Sequence, residues 1–367
     1  MGVFLAKMRF LRLNAEKSRR FPESQKMDTK IIDNKPLLSS DALTALGADF
    51  NLRTATWADL NAVAQLIYDV CEADGDITVA VTPEELKVDW QSPGFNVETD
   101  TWIFETKDGS IVGYEEFYNA HAHASLRTDG YVHPDFKGNG IGTILLRVIE
   151  ERAHKEMALA EPDLRVSLRS SFDNHDEVGR SIHEAQGYHL VRYFWRMEIN
   201  LQEPPPAPVW PDGVELRPFS MDQDAHAVWE ATEEAFRDHW GSHFTPFEDW
   251  KYRKFSRMDF DPGLWMIAWD GGQIAGFSQN RYRMGIGWIG TLGVRRPWRK
   301  HGLGLALLLR SFGEFYQRGM KTIGLGVDAS NPTGATRLYQ KAGMRVASEF
   351  VTYEKQLRDG REPEGEE

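Results

Sequence analysis

The fold of this chain is decided by residues 294–316, which read V-R-R-P-W-R-K-H-G-L-G-L-A-L-L-L-R-S-F-G-E-F-Y. An apolar run at 288–294 predicts a buried strand. A basic loop and then Gly302 and Gly304 follow it. Helical spacing continues in four apolar residues, Leu305, Leu308, Phe312 and Phe315. The strand thus leads into a basic, glycine-bearing turn that opens a helix, and such a turn suits a phosphate or pyrophosphate.

The same pattern occurs earlier in the chain, at residues 132–143, which read V-H-P-D-F-K-G-N-G-I-G-T. The turn at 137–142 precedes the turn at 299–304 by 162 residues. Strands and helices are predicted in the same order around both turns. The sequence therefore predicts a two-fold internal repeat of a mixed α/β unit.

The repeat divides the chain into two predicted domains, residues 49–203 and 213–357. Between them, residues 204–212 contain five prolines and predict a stiff linker. Residues 1–48 and the acidic end, 358–367, predict disordered tails. The fold class is α/β, with a mostly antiparallel central sheet flanked by helices in each domain.

The element pattern supports that class. In the first unit it predicts helices at 58–71, from 141 and at 174–186, and strands at 101–105, 111–118, 126–132, 164–168 and a closing strand at 189–199. In the second unit it predicts helices at 223–240, from 305 and at 333–342, and strands at 264–269, 273–281, 288–294, 322–328 and 345–356.

Composition excludes several classes of protein. The 367 residues carry 43 basic and 55 acidic side chains, a net charge of −12, which argues against nucleic acid or an anionic membrane as partner. A single cysteine, Cys71, rules out an intrachain disulfide. No apolar run reaches the roughly 18 residues that span a bilayer. The basic N-terminus fits a targeting peptide or an extension ahead of an internal start at Met8 or Met27. We expect a cytoplasmic protein, monomeric or homodimeric.

Two other phosphate-binding turns do not match. A P-loop ends in Gly-Lys-Ser/Thr, and neither turn does. A Rossmann turn needs G-x-G-x-x-G/A after the first strand. Here Gly302-Leu303-Gly304 lacks the third glycine and follows the fourth strand of its unit.

The surroundings of both turns resemble the GCN5-related N-acetyltransferase (GNAT) family. Its signature Arg/Gln-x-x-Gly-x-Gly/Ala matches Arg299-Lys300-His301-Gly302-Leu303-Gly304 after Val294, and Lys137 to Gly142 after Val132. A second signature matches Asn331 followed by Leu338-Tyr339-Gln340-Lys341-Ala342-Gly343-Met344. The resemblance spans residues 50–356, and the tandem arrangement is similar to the two-domain members of the family.

The resemblance implies acetyl-CoA as acyl donor and no metal. It implies CoA contacts from Leu292, Gly293, Val294, Arg299, Lys300, His301, Gly302, Leu303, Gly304 and Asn331. It also implies a second CoA site at Val132, Lys137, Gly138, Asn139, Gly140, Ile141 and Gly142. Tyr339 matches the family's general acid to the leaving thiolate, and the backbone N–H of Val294 matches its oxyanion donor.

The first unit departs from the family pattern. His183 occupies the position of the tyrosine, and the asparagine is displaced by one place to Asn174. We therefore expect a degenerate first domain, which binds CoA without turning it over, and a catalytic second domain. The general base is left open, because the strands that carry a glutamate in many relatives have no carboxylate here. The helix end at 233–243 offers Glu234, Asp238 and His239 as candidates.

The expected acceptor is an amine of a small molecule. A cysteinyl pseudo-disaccharide of the mycothiol type, a polyamine, an antibiotic and an amino acid all remain open. The alternatives are a protein or peptide amine, or a non-catalytic protein that binds and senses acyl-CoA.

Overall fold

The computed structural model describes residues 50–331 and 333–363. The predicted N-terminal tail, residues 1–48, lies outside the described residues. Among the helices that are described, none combines the length and the apolar character needed to cross a bilayer.

Twelve strands are described, six in each half of the chain. In the first half they are β1 (Phe50–Arg53), β2 (Thr101–Thr106), β3 (Ile111–His121), β4 (Ser125–Val132), β5 (Val166–Asp173) and β6 (His189–Asn200). In the second half they are β7 (Val214–Arg217), β8 (Trp265–Asp270), β9 (Gln273–Arg283), β10 (Ile286–Val294), β11 (Thr322–Asp328) and β12 (Arg345–Arg358).

The described helices flank the sheet. The first half has α1 (Leu60–Ala73), α2 (Pro83–Trp90), α3 (Val97–Asp100), α4 (Ile141–Met157) and α5 (Glu177–Ala185). The second half has α6 (Met221–Phe236), α7 (Phe247–Phe255), α8 (Leu303–Gln317) and α9 (Ala335–Lys341). Short 3₁₀ turns precede α4 and α8, at Pro134–Phe136 and Arg296–Trp298.

All twelve strands form one continuous sheet in the order β1-β2-β3-β4-β5-β12-β6-β11-β10-β9-β8-β7. The pairs β4/β5 and β10/β11 are parallel, and the other pairs are antiparallel. Each half therefore has the mixed, mostly antiparallel sheet that the sequence predicts. The two halves are arranged symmetrically about the centre of the sheet. From the centre outward the order is β12-β5-β4-β3-β2-β1 on one side and β6-β11-β10-β9-β8-β7 on the other.

The last strand of each half is exchanged. The expectation that the strand at 189–199 closes the first unit is wrong, because β6 pairs with β11 and β12 of the second half. In return β12 pairs with β5 and β6 of the first half. Strand periodicity marks a strand but contains no information on its partner, so the exchange was invisible in the sequence.

The exchanged strands also supply side chains to the partner half's core. Phe350 of β12 is 1% exposed and belongs to the same core cluster as buried residues of α1 and α2. Val351 and Tyr353 pack with α4. Met197 of β6, fully buried, packs with α8 and β11. Neither half buries a complete core with its own residues alone.

Several elements differ from the expectations. Helices α2, α3 and α7 lie in segments where no helix was predicted; α2 begins with a capping box between Thr82 and Glu85. Ordered structure also extends past residue 357, into the predicted acidic tail. There Arg361 forms an isolated bridge with Leu164, and Arg358 donates to the Leu164 carbonyl at 3.0 Å. Residues 364–367 lie outside the described residues.

The exchange of β6 and β12 predicts how the substitution Phe350→Ala affects the stability of the first half. Removing this fully packed ring should lower the free energy of unfolding by about 3–5 kcal/mol. Because the ring packs in the core of the other half, hydrogen exchange should accelerate in α1. Val346→Ala is the control, since Val346 lies on the same strand but is 42% exposed. Unchanged protection of α1 in Phe350→Ala would contradict the exchanged arrangement.

Candidate active site

The site in the second half lies where two parallel strands diverge. Strands β10 and β11 pair only from Gly287 to Ile289 on β10, and a bulge follows before Thr291. Arg295 N–H donates to the Ala275 carbonyl of β9 at 3.0 Å. Backbone groups of successive residues point to opposite sides of a strand, so the Val294 N–H faces away from β9, towards the opening. An extended ligand arm could pair with this edge.

The glycine turn sits at the end of β10 and opens α8. Gly302 has φ +86°, and a Cβ there would meet nothing within 4 Å, so the turn is open to a ligand. Lys300 also adopts a left-handed conformation, with φ +68°, which a lysine takes at a cost of about 1 kcal/mol. The first turn of α8 contains no acidic residue. These features fit the anion site that the sequence predicts at residues 299–304.

Arginines fix the turn to the end of α6. The Arg299 guanidinium donates to the Val294 carbonyl at 2.9 Å and to the Ala235 carbonyl at 3.1 Å. Arg295 donates to the Glu234 carboxylate at 2.6 Å, and Arg296 donates to the Asp238 carboxylate at 2.5 Å. Lys300 and His301 are exposed. Arg299 thus positions the turn, and Lys300 and His301 are the basic side chains that project from it.

The three candidate bases fall in different surroundings. Glu234 and Asp238 are engaged by Arg295 and Arg296, and the hydrogen bond from Arg296 lowers the pKa of Asp238. Neither residue lines the cavity described next. His239 does line it, and burial lowers the pKa of its imidazole, so the ring is mostly neutral at pH 7.

A cavity of about 280 Å³ opens beside the bulge of β10. Gly290, Thr291 and Gly326 line it from the diverging strands, and helices α6 and α7 contribute further walls. The first half contributes too, through residues that include Arg127 and Arg169. Because both halves build it, this cavity exists only in the assembled tandem.

Lys254 of α7 is a cavity residue that sequence reasoning missed. Its ammonium donates to the Thr291 hydroxyl at 3.1 Å. Burial lowers the pKa of Lys254 to about 7, and Arg281, Arg257 and Arg253 add repulsion. The sequence showed only a basic run in an unrecognised helix. Lysine becomes a titrating group near neutral pH only where tertiary packing removes water and adds other cations.

Glu233 is a second titratable group that sequence reasoning passed over. Burial raises the pKa of its carboxyl to about 7, although the Thr245 N–H donates to it at 3.1 Å. Its neighbour Glu234 was chosen instead, because helix position alone does not say which side chain is buried.

Tyr339 lies on α9, packed against α8 and β11, and is 7% exposed. Burial raises the pKa of its phenol to about 12, so the hydroxyl remains protonated. Asn331 accepts from the Thr333 N–H at 2.8 Å and so shapes the loop before α9. A Cβ on Gly304 would lie 3.3 Å from the Leu338 side chain, which shows how closely α8 and α9 pack.

The first half contains an equivalent opening. Strands β4 and β5 pair from Ser125 to Thr128 on β4 and then diverge. A pocket of about 290 Å³ occupies the opening. Six of the seven predicted residues line it: Val132, Lys137, Gly138, Gly140, Ile141 and Gly142. Asn139 does not; its amide donates to the Phe136 carbonyl at 3.2 Å.

The chemistry of this first pocket is different. Lys137 pairs with Asp74 at 3.5 Å, and Asp173 and Asp176 line the same pocket. Burial lowers the pKa of His183, whose ring nitrogen Nδ1 lies 2.7 Å from the Gly179 carbonyl and whose ring lies 4.7 Å from that of Phe172. Among the residues that the structure describes, no group of three or more His, Cys, Asp or Glu side chains could hold a metal ion.

Two diverging parallel pairs, each followed by a glycine turn and a helix, define a tandem acetyltransferase fold. The chain belongs to the acetyltransferase (GNAT) family, whose model matches residues 67–167 and 225–344. Similar curated proteins are mycothiol acetyltransferases. That of Thermobispora bispora is 32% identical over 60% of this chain and 73% of its own length. That of Catenulispora acidiphila is 26% identical over 83% of this chain and 97% of its own.

Solved structures agree with that assignment. A GCN5-related N-acetyltransferase from Sphaerobacter thermophilus is 38% identical, has a TM-score of 0.73, and is matched over 86% of this chain and 98% of its own. A tandem GNAT protein from the clavulanic acid biosynthesis pathway has a TM-score of 0.64 at 16% identity, over 85% of this chain and 100% of its own, and shows the shared fold.

The lowered pKa of Lys254 predicts how the stability of the variant Lys254→Met depends on pH. An unfolded lysine titrates near pH 10.4, so between about pH 7 and 10.4 the unfolded chain binds more protons at this residue than the folded chain. This group therefore makes stability rise with pH across that window. At pH 6.5 the free energy of unfolding of the variant should be higher than that of the wild type. This difference should be smaller at pH 9.5.

Urea unfolding at pH 6.5, 8 and 9.5 measures this difference. Lys251→Met is the control, because Lys251 lies on the same helix and is exposed. Its difference from the wild type should not vary with pH. A Lys254→Met curve that runs parallel to the wild-type curve would show that Lys254 titrates normally.

Proposed function

We propose that the second half transfers an acetyl group from acetyl-CoA to an amine of a small-molecule acceptor, and that the first half does not catalyse this transfer. The observation that carries the proposal is the difference in charge between the two glycine turns. Both halves have the diverging strands, the glycine turn and the helix. Only the second combines them with a surplus of positive charge.

The second turn has four cations, Arg295, Arg296, Arg299 and Lys300, close to two carboxylates, Glu234 and Asp238. The corresponding positions of the first turn are His133, Pro134, Lys137 and Gly138. There the lysine is paired with Asp74, and two further aspartates line the pocket. A pyrophosphate would be attracted to the second turn and repelled from the first. This supports CoA contacts from residues 292–294 and 299–304, and argues against CoA binding in the first half.

The acceptor amine must be neutral to attack the thioester carbonyl. An amine with pKa 10.4 pays about 4.6 kcal/mol to be neutral at pH 7, so a proton acceptor helps. His239 is the candidate base that we retain, because it lines the cavity and is mostly unprotonated at pH 7. Glu234 and Asp238 are the weaker candidates, since both are bound to arginines outside the cavity.

Attack by the amine nitrogen forms a C–N bond and a tetrahedral intermediate, and its collapse breaks the C–S bond. The Val294 N–H, on the open edge of β10, is the proposed oxyanion donor. Tyr339 is the proposed donor to the leaving thiolate. Full proton transfer from a phenol of pKa about 12 to a thiolate of pKa about 8.5 costs about 5 kcal/mol. Tyr339 therefore stabilises the thiolate by a hydrogen bond and keeps its own proton.

The relatives' name supports a small-molecule acceptor of the mycothiol type. The cavity shared by the two halves supports a small molecule over a protein amine, since its volume is about 280 Å³. A protein that binds acetyl-CoA and releases no free CoA with any amine would support the sensing alternative.

Lys300→Gly tests the turn of the second half. It installs the residue that the first turn has at the same position, Gly138, and relieves the left-handed strain. We expect the KM for acetyl-CoA to rise about tenfold, while the melting temperature does not fall. His189→Ala, a change at an exposed residue on β6, is the control. An unchanged KM would show that Lys300 does not contact the CoA phosphates.

Tyr339→Phe and His183→Ala test which half is catalytic. Loss of the hydroxyl in the second half should lower kcat about 100-fold, because it removes the proposed hydrogen bond to the leaving thiolate. His183→Ala should leave kcat unchanged, although it removes a packed ring. Release of free thiol from acetyl-CoA measures both. Equal losses in the two variants would overturn the assignment.

A further inference from the structure

The wall of the cavity formed by α7 and β9 is strongly basic. Lys254, Arg257 and Arg281 line it. Arg257 donates to Glu85 at 2.5 Å and to Asp259 at 2.8 Å, and Arg281 donates to Glu85 at 3.1 Å. Lys254 donates to the neutral hydroxyl of Thr291. We call these three cationic residues the basic wall.

With Lys254 protonated, the positive charge of the basic wall exceeds the negative charge around it. Glu85 and Asp259 are the two carboxylates that pair with its three cations. The other charged residues of the cavity offset each other: three cations, Arg127, Arg169 and Arg253, and three carboxylates, Asp89, Asp129 and Asp328. Arg283 lies nearby and donates to the backbone carbonyls of Thr78 and Ala80. The cavity thus contains uncompensated positive charge in a setting that burial shields from water, which a bound anion would neutralise.

The close packing of these cations affects the pKa of Arg281. Burial lowers the pKa of Arg281 to about 9, and Arg257 and Arg283 add repulsion. Keeping such groups together costs stability. Strain of this kind at a cavity is typical of a binding site.

The position of the basic wall relative to the thioester site limits the ligand. Lys254 contacts Thr291, which lies three residues before Val294 on β10. A strand rises about 3.3 Å per residue, so the two positions are about 10 Å apart. The glycine turn for the CoA phosphates lies beyond Val294, on the far side of the thioester. The basic wall is therefore on the acceptor side.

We propose that the acceptor amine carries an anionic group, a carboxylate or a phosphate, within about 10 Å of the reacting nitrogen, and that the basic wall binds it. The inference rests on the proposed function of the second half. It narrows the acceptor to amines such as amino acids and amino-sugar phosphates, and favours them over an acceptor of the mycothiol type, which lacks an anionic group. Glu85 of α2 orients two of the three cations, so the first half contributes to acceptor selection without catalysing transfer.

Matched pairs of amines test the proposal. Thiol release from acetyl-CoA is measured with α-amino acids and their carboxamides, and with glucosamine 6-phosphate and glucosamine. In at least one pair, the charged amine should have a kcat/KM at least tenfold higher than its neutral counterpart. The pair that shows this difference tells whether the basic wall binds a carboxylate or a phosphate. In Arg281→Met and Lys254→Met this ratio should fall towards one, and Lys254→Arg should restore it. Arg345→Met, at a side chain that is 76% exposed, should keep the wild-type ratio.

A binding measurement is independent of turnover. Inorganic phosphate should raise the melting temperature of the wild type and of Arg345→Met, compared with chloride at equal ionic strength. It should raise that of Arg281→Met clearly less, because only the glycine turn is then left to bind phosphate. Equal use of neutral and charged amines by the wild type, or equal phosphate shifts in all variants, would overturn the proposal. If no amine releases thiol, the proposed function fails. The shifts in melting temperature with phosphate then test by themselves whether the basic wall binds an anion.

Discussion

The central constraint on this molecule is the hydrogen bonding across β5, β12, β6 and β11. Each half provides six strands of the sheet, five on its own side and one that is exchanged, and so depends on the other half for the strand beside its parallel pair. Backbone N–H and C=O groups in the interior of a sheet must be paired, and the exchanged strands also place Phe350 and Met197 in the partner's cores. Neither half can be removed without leaving the other with an open sheet edge and an incomplete core. Under the proposed function, this dependence gives a structural reason for the chain to retain a first half that does not catalyse transfer.

This dependence on a shared sheet leaves the side chains around the two openings free to differ in charge. Divergence of a parallel pair is a property of the backbone, so both halves have an opening beside a glycine turn. The charges around each opening are a property of side chains and vary without affecting the sheet. In the first half Lys137 is paired with Asp74, whereas in the second Arg299 is engaged with backbone carbonyls and Lys300 projects from the turn. The same scaffold thus presents an acidic pocket on one side and a basic turn on the other.

The sequence predicted what depends on local order along the chain. Strand, turn and helix around Gly302 follow each other within 30 residues, and the structure has them at nearly the predicted positions. The family of the chain followed from the same local motifs. The exchange of β6 and β12 could not be predicted, because strand periodicity is satisfied equally by either partner. Lys254 was missed for a related reason: its pKa is lowered by burial and by repulsion from cations that include Arg281 of β9, and only the folded structure brings this strand against α7.

The cavity connects these observations. It lies against the central strands, so its walls come from both halves: Thr291 and Lys254 from one, Arg127 and Arg169 from the other. A Cβ on Gly241 would lie 3.4 Å from the Arg127 guanidinium, which shows that the loop after α6 packs directly on the first half. Under the proposed function, selection of the acceptor is a property of the interface between the halves, whereas recognition of CoA is local to one glycine turn. Since the two tasks depend on different surfaces, the acceptor can change during evolution by substitutions in either half while the turn at 299–304 remains the same.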